Sequence, residues 1–397
     1  MSRPPHLATL MICSAVTVLS LNMFLPSLAQ IAREFGVSFA TVTWAVSGYL
    51  GVTAALQLFI GPISDRVGRR PVVLCAFTAF TLLSVVCAMA ESFALFLTAR
   101  LLQGAVIAGA TMALATVRDT ADAERAASQI SWVSMGMAVG PMIAPVIGGA
   151  LDAAFGWRSV FWFLALGGAT ASVLAAVDWG ETNRAKSASF GAQFRAYPAL
   201  LAAPAFWAFS GVVIMGVGCF YIFISGAPLV ADRVLDISST ELGLAIGIIT
   251  MGFFLGNGVS GTVATRVGLG GMVVAGRALQ VAAISVNLGL LWAGLFEPIS
   301  FFGLMALVGF GNGIASPSAN AGLMSVNPAL AGSAAGLSGS LTLGLGAVFT
   351  ALSARLMEAG PPAAMLLITM LVVACLGLGC AVAAYRLTAG SARASRT

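Results

Sequence analysis

Histidine occurs once in this chain of 397 residues, at position 6, and lysine once, at position 186. Charged residues of all kinds make up 8%, where soluble domains carry roughly 25%. The six cysteines, Cys13, Cys75, Cys87, Cys219, Cys375 and Cys380, lie in apolar stretches and form no Cys-x-x-Cys pair. Each shortage closes a class of function. Without a His or Cys cluster there is no zinc or copper site to build from side chains, and the cysteines read as small buried hydrophobes. A single histidine leaves no Ser/His/Asp or Cys/His set, so no enzyme is expected. No basic run is interleaved with aromatics, so the net charge of +5 does not point to nucleic acid. Gly309-Phe-Gly-Asn-Gly313 lacks the preceding strand and the Gly-Lys-Ser/Thr ending of a phosphate loop. It reads as close helix packing, and neither ATP nor any other cofactor is expected.

What the chain has instead is apolar length. Hydrophobic residues make up 59%, a surface that only lipid can cover. A hydrocarbon core about 30 Å thick needs roughly 20 apolar residues per helix. Twelve such stretches are present: 7–31, 40–60, 72–90, 94–117, 129–151, 158–178, 204–227, 241–263, 272–295, 299–320, 331–354 and 363–386. They are long and do not alternate, which excludes a membrane β-barrel. The expected fold is an all-α membrane protein of twelve transmembrane helices in two six-helix bundles. The first stretch runs too far for a signal-peptide core and reads as an uncleaved helix.

Basic residues orient the spans. With the N-terminus in the cytoplasm, that side holds fourteen: Arg3, Arg66, Arg69, Arg70, Arg118, Arg125, Arg184, Lys186, Arg195, Arg266, Arg277, Arg386, Arg393 and Arg396. The other side holds Arg33, Arg158, Arg233 and Arg355. The bias predicts an inner-membrane protein with both termini in the cytoplasm. Residues 179–203 are the longest polar interruption. They divide the chain into an N-terminal bundle, 1–178, a linker, 179–203, and a C-terminal bundle, 204–397.

The densest charge lies at residues 61–71, Gly-Pro-Ile-Ser-Asp-Arg-Val-Gly-Arg-Arg-Pro, between the second and third spans. Two hundred residues later Gly261, Arg266, Val267 and Gly268 repeat Gly61, Arg66, Val67 and Gly68. A turn repeated after the second helix of each half is the trace of parallel six-helix repeats. The second copy has Thr265, Leu269 and Gly270 where the first has Asp65, Arg69 and Arg70. Asp65 suits a helix N-terminus. Arg69 and Arg70 are placed to pair with Asp119 or Asp122, after the fourth span. Such pairs would latch one conformation, unless the loop serves only to anchor topology.

This loop resembles the signature loop of the major facilitator superfamily, and more narrowly the chain resembles the twelve-helix Bcr/CflA-type drug exporters. Leu25-Pro26, Arg100-Leu-Leu-Gln103-Gly104, Val117-Arg118-Asp119, Gly140-Pro141 through Gly148-Gly149, Pro204-Ala-Phe206-Trp207 and Ser225-Gly-Ala-Pro228 extend the likeness along nearly the whole chain. The resemblance implies that Gly61, Asp65, Arg66, Gly68, Arg69, Arg70, Arg118 and Asp119 gate the cytoplasmic side. It also implies that Gly136, Gly140, Pro141, Pro145, Gly148 and Gly149 form the antiporter motif of exporters. Read from the residues alone, those glycines and prolines let helices touch closely and bend.

Arg100 is the sharpest single residue. It lies eighteen positions before Arg118, about 27 Å along a helix, in an apolar neighbourhood where a charge is costly and marks function. The other reading is an arginine snorkelling to the outer interface. Gln103 shares its face. Asn22 and the aromatics Trp44, Tyr49, Phe220, Tyr221 and Phe223 are further candidates for the pocket, or else packed or lipid-facing side chains. Exporters of the resembled type often carry an acid where this chain has Asn22, and no Asp or Glu lies deep in any span. Asp178, Glu241 and Glu297 sit at helix ends, so proton coupling would have to use an edge carboxylate such as Asp119 or Glu34. The expected function is export of small amphipathic compounds or antibiotics by proton antiport, from a monomer in the lipid bilayer. A metabolite importer, an uncoupled facilitator and a non-transporting scaffold or sensor are the alternatives.

Overall fold

A computed structural model describes residues 5–183, 197–327 and 330–394. Most of the expected linker, and with it Arg184, Lys186 and Arg195, lies outside the described residues, as do Arg3 and Arg396. Twelve helices among the described residues are long and apolar enough to cross a membrane. They are α1 Leu7–Glu34, α2 Phe39–Val67, α3 Arg69–Met89, α4 Phe93–Thr120, α5 Ala123–Phe155 and α6 Arg158–Asp178, then α7 Pro204–Leu235, α8 Ser239–Ala264, α9 Arg266–Trp292, α10 Pro298–Ser325, α11 Ala331–Ala359 and α12 Pro362–Thr388. Each expected span falls on one of them, with ends shifted by several residues. The largest shift is at the end of α7, which runs on to Leu235 where 227 was expected; α2 starts at Phe39 behind the Ser38 cap and runs on to Val67, about two turns beyond the expected end at 60.

The chain divides into two compact units. One holds the described residues through 183 together with Ser238–Leu244, the first turn of α8. The other holds the rest. Within the first unit α1 packs on α4, α5 and α6; within the second α7 packs on α10, α11 and α12. This is the same pattern six helices apart. The turns repeat as well. Gly68 has φ 116° and ψ 155°, and Gly268 has φ 79° and ψ 160°, a region that glycine enters without a Cβ penalty. Each unit also has an aromatic core. Phe24 of α1 and Phe96 of α4 gather with Trp157 and Phe161. In the second unit Phe223 of α7 gathers with Phe301 and Phe302 of α10. Phe223 is therefore a packed core aromatic.

Two helices of the first unit are interrupted at mid-length. In α1 the regular helix stops at Asn22 and resumes at Leu28 after a 3₁₀ turn, Leu25–Ser27. Pro26 has no N–H to continue the ladder. In α4 a 3₁₀ turn covers Gln103–Val106, and Thr53 Oγ1 donates to the Gly104 carbonyl at 3.5 Å. Tightened turns of this kind often mark functional positions.

The glycines at 309–313 are packing residues, as expected. Gly309, Gly311 and Gly313 press α10 against backbone atoms of Ile249, Gly276 and Phe253.

Candidate functional site

Arg100 stands in the last turn before the α4 interruption and is fully buried, at 0% exposure. Its Nη1 donates to Gln103 Oε1 at 2.8 Å, its Nη2 to the Ser20 carbonyl at 2.8 Å, and its Nε to the Ala45 carbonyl at 3.3 Å. Ser20 belongs to the last turn of the regular part of α1, where carbonyls lose their partner four residues on. The break at Pro26 thus supplies an acceptor for the guanidinium. The Phe24 and Tyr49 rings lie 4.3 and 4.2 Å from Cζ, measured to their centroids. Gln103 Nε2 donates to Ser84 Oγ of α3 at 2.8 Å, and Tyr49 shares a 3.0 Å hydroxyl pair with Ser20. One cation therefore ties four helices together, and every partner in this network is neutral. A guanidinium held by three oxygens and two ring faces is anchored in place. It does not snorkel to the interface.

Of the other expected site residues, Asn22 is 4% exposed and donates Nδ2 to the Val18 carbonyl at 2.9 Å. It joins its own helix and not the Arg100 network. Tyr221 is buried in the second unit beside Gly346, with Phe220 half-buried and 6.1 Å away between ring centroids. The fold thus gathers Tyr49, Arg100 and Gln103 in one network and leaves Asn22, Phe220 and Tyr221 outside it. Trp44 is exposed.

The 61–70 turn forms a second cluster. Arg69 bonds Asp65 at 2.6 Å and Asp119 at 3.1 Å. It also donates to the Ser64 hydroxyl, which itself donates to the Gly61 carbonyl at 2.7 Å. The expected pairing with Asp119 is present for Arg69. Arg70 instead donates to the Ala176 carbonyl at 2.8 Å, because it points toward the end of α6. Asp122 caps α5 and pairs with Arg125. Arg66 and Arg118 are exposed. Asp65 does not serve a helix N-terminus, since α2 continues to Val67 and puts it in that helix's last turn.

The residue that caps α3 is Glu181, which the sequence did not single out. Its Oε1 accepts from the Arg69 N–H at 2.9 Å and its Oε2 from the Arg70 N–H at 3.3 Å. Two positions on, Asn183 Nδ2 donates to the Asp65 and Ser64 carbonyls at 2.8 and 3.3 Å. A segment of three residues thus caps the end of α2 and the start of α3. Glu181→Ala is expected to lower stability by about 0.5–2 kcal/mol, the usual worth of a helix cap. Thermal unfolding of the purified protein checks this, and an unchanged midpoint would remove the cap from the account.

The helix-5 residues split by role. A Cβ on Gly148 would fall on the Met23 carbonyl oxygen, and one on Gly149 on the Ser239 carbonyl, while a Cβ on Gly140 would press on Val18. Gly136 has open space around it. Pro141 and Pro145 both lie inside the helix, and the Pro145 carbonyl abuts Gly243. These contacts support the packing reading and leave an antiporter role as a proposal.

Two charged residues sit where the sequence did not place them. Arg277, counted above among cytoplasmic residues, is 0% exposed and donates to Val212, Gln280 and Asn312. It lies about three turns inside α9, which starts at Arg266 and not near 272. The spacing Arg277-x-x-Gln280, the same as Arg100-x-x-Gln103, was the available signal. Asp152, near the end of α5, is 5% exposed and the one buried carboxylate among the described residues. With its amide nitrogen turned toward that carboxylate, Gln30 donates to Asp152 Oδ1 and Oδ2 at 2.5 and 3.1 Å. Among the described residues no group of three or more His, Cys, Asp or Glu is placed to hold a metal.

Comparison with known proteins adds the family. A model described as the Major Facilitator Superfamily matches residues 10–351. A chloramphenicol resistance protein of Pseudomonas aeruginosa is 30% identical over 300 residues, covering 74% of this chain and 70% of that protein. The multidrug resistance protein MdtL of Escherichia coli O81 (strain ED1a) is 37% identical over 185 residues, covering 45% of this chain and 47% of MdtL. In fold, a D-xylose–proton symporter crystal structure superposes with a TM-score of 0.77 at 13% identity, covering 94% of this chain and 96% of that one. A bacterial homolog of the human lysosomal transporter Spinster gives 0.75 at 19% identity, covering 98% of both chains.

Proposed function

The chain belongs to the Major Facilitator Superfamily, and from that premise we propose that it exports small amphipathic compounds, antibiotics among them, in exchange for protons. It is a multi-pass membrane transporter and not an enzyme. The resemblance to Bcr/CflA-type exporters read from the sequence is borne out by relatives that carry resistance names. The observation that carries the direction of transport is the likeness to the chloramphenicol resistance protein across most of both chains.

In this reading the protein works by alternating access, exposing its substrate site to each face of the membrane in turn. Tyr49, Arg100 and Gln103 serve the substrate side in the first unit, with Asn22, Phe220 and Tyr221 as further contacts. The Asp65–Arg69–Asp119 cluster, with Gly61, Arg66, Gly68, Arg70 and Arg118 around it, latches the cytoplasmic side. The transporter works as a monomer in the inner membrane with both termini in the cytoplasm. Breaking the latch tests that part of the reading. Asp119→Asn removes one of two charge partners of a partly buried arginine, worth roughly 1.5–3 kcal/mol as a charge-assisted hydrogen bond. Transport is expected to slow by about tenfold or more, and an unchanged rate would make the loop a topology anchor only.

One observation favours an uncoupled facilitator instead. Asn22 cannot titrate, and Asp152, Asp119 and Glu34 all stand near helix ends. Export itself is tested in cells stripped of their own efflux pumps. Expression is expected to lower the accumulation of chloramphenicol and raise tolerance to it. If no compound of a broad panel changes its accumulation, export is ruled out.

A further inference from the structure

Among the described residues each unit buries one guanidinium completely: Arg100 in the first and Arg277 in the second. The Arg277 site is built as carefully as that of Arg100, from different helices. Nη1 donates to Gln280 Oε1, and Nη2 donates to the Val212 carbonyl at 2.8 Å and to Asn312 Oδ1 at 3.1 Å. Gln280 is itself held by the Val308 carbonyl at 3.2 Å, and Ser316 donates to Asn312 at 3.2 Å. Room for the guanidinium exists only because residue 216 is glycine, since a Cβ there would fall on it. Nε has no partner at all.

Every acceptor in this cluster is neutral. The one buried carboxylate among the described residues, Asp152, belongs to the other unit, where Gln30 and Arg33 answer its charge. The buried part of the second unit therefore carries a cation without a counter-ion, and a spare N–H donor. Packing does not require this, because a neutral side chain would fill the space without the cost of burying a charge. A fixed positive charge at low dielectric also acts well beyond contact distance.

We propose that Arg277 is a specificity-determining charge of the second unit, which favours neutral and anionic amphipathic substrates and rejects lipophilic cations. The proposal rests on the export reading and names the substrate class it implies. At an effective dielectric constant near 20, a unit charge some 10 Å away changes the preference for a charged ligand by roughly tenfold.

The test uses three small amphipathic probes that differ in charge: chloramphenicol (neutral), nalidixate (anionic) and tetraphenylphosphonium (cationic). Their transport is measured in vesicles holding the full chain, and their binding by tryptophan fluorescence of the purified protein. The wild type is expected to prefer the first two over the cation by about tenfold or more. Arg277→Lys, which keeps the charge, should keep that order. Arg277→Gln should lose nalidixate and gain tetraphenylphosphonium. A wild type that handles the cation as well as chloramphenicol overturns the proposal while leaving export intact. So does an Arg277→Gln variant with an unchanged order. If nothing is transported, export fails, and the order of binding alone decides the charge proposal. If the variants do not fold, the wild-type order still decides it.

Discussion

Arg100→Ala is expected to abolish transport. The substitution removes three hydrogen bonds from a charged donor and two ring contacts. Bonds to charged groups contribute about 1.5–3 kcal/mol each, so the network has no reserve against their loss. Gln103 Oε1 and the Ser20 and Ala45 carbonyls would be left buried without their donor. The loss in transport should reach roughly a hundredfold or more, the equivalent of two such bonds. Arg100→Lys separates charge from geometry. It keeps the cation, but its ammonium cannot span acceptors on α1, α2 and α4 as the planar fork does. It should recover only a small part of the rate. Both variants need a size-exclusion profile beside the transport assay. A monodisperse Arg100→Ala protein that still transports at the wild-type rate would remove Arg100 from the mechanism.

The second large effect is expected at Gly148. Its neighbour is the main-chain carbonyl of Met23, at the end of the regular part of α1, and a backbone atom cannot rotate away as a side chain can. Gly148→Ala must push α5 off α1 at the level of the α1 break, and overpacking of this kind costs about 1–3 kcal/mol or more. Gly136, in the same motif, has nothing within reach of a Cβ. Alanine there should also favour the helix by about 0.5–1 kcal/mol. The pair therefore gives opposite results from one chemical change: loss of folded protein and of transport for Gly148→Ala, and wild-type behaviour or slightly higher stability for Gly136→Ala. Equal behaviour of the two would contradict the close α1–α5 contact.

The sequence made the membrane class, the twelve spans and the repeated turn legible, because each rests on local pattern. An apolar run long enough to span needs no partner to be recognised, and Gly68 and Gly268 mark their turns by residue type alone. Arg100 and Gln103 were legible for the same reason, a charge and an amide in an apolar run. What the sequence hid depends on helix ends and on distant partners. Arg277 was counted with the cytoplasmic residues because it lies only five positions into the apolar run that begins near 272, whereas the helix starts at Arg266 and sets it far deeper. Asp65 looked like a helix cap because the α2 ladder was expected to stop at Gly61 and in fact runs on to Val67. Glu181 sits in an unpatterned stretch after α6, and its role as the α3 cap rests on contacts 111 and 112 residues apart. Asp152 passed unnoticed at the edge of an expected span, where only tertiary packing shows that it is buried.

The most direct test of export through the Arg100 site is uptake of labelled chloramphenicol into inverted membrane vesicles carrying an interior-acid pH gradient. The cytoplasmic face then points outward, so an exporter fills the vesicle while protons leave it. The expected result is uptake well above that of vesicles without the protein, accelerated by the gradient and abolished by Arg100→Ala. Uptake no greater than in the empty vesicles, or uptake indifferent to Arg100→Ala, would contradict it.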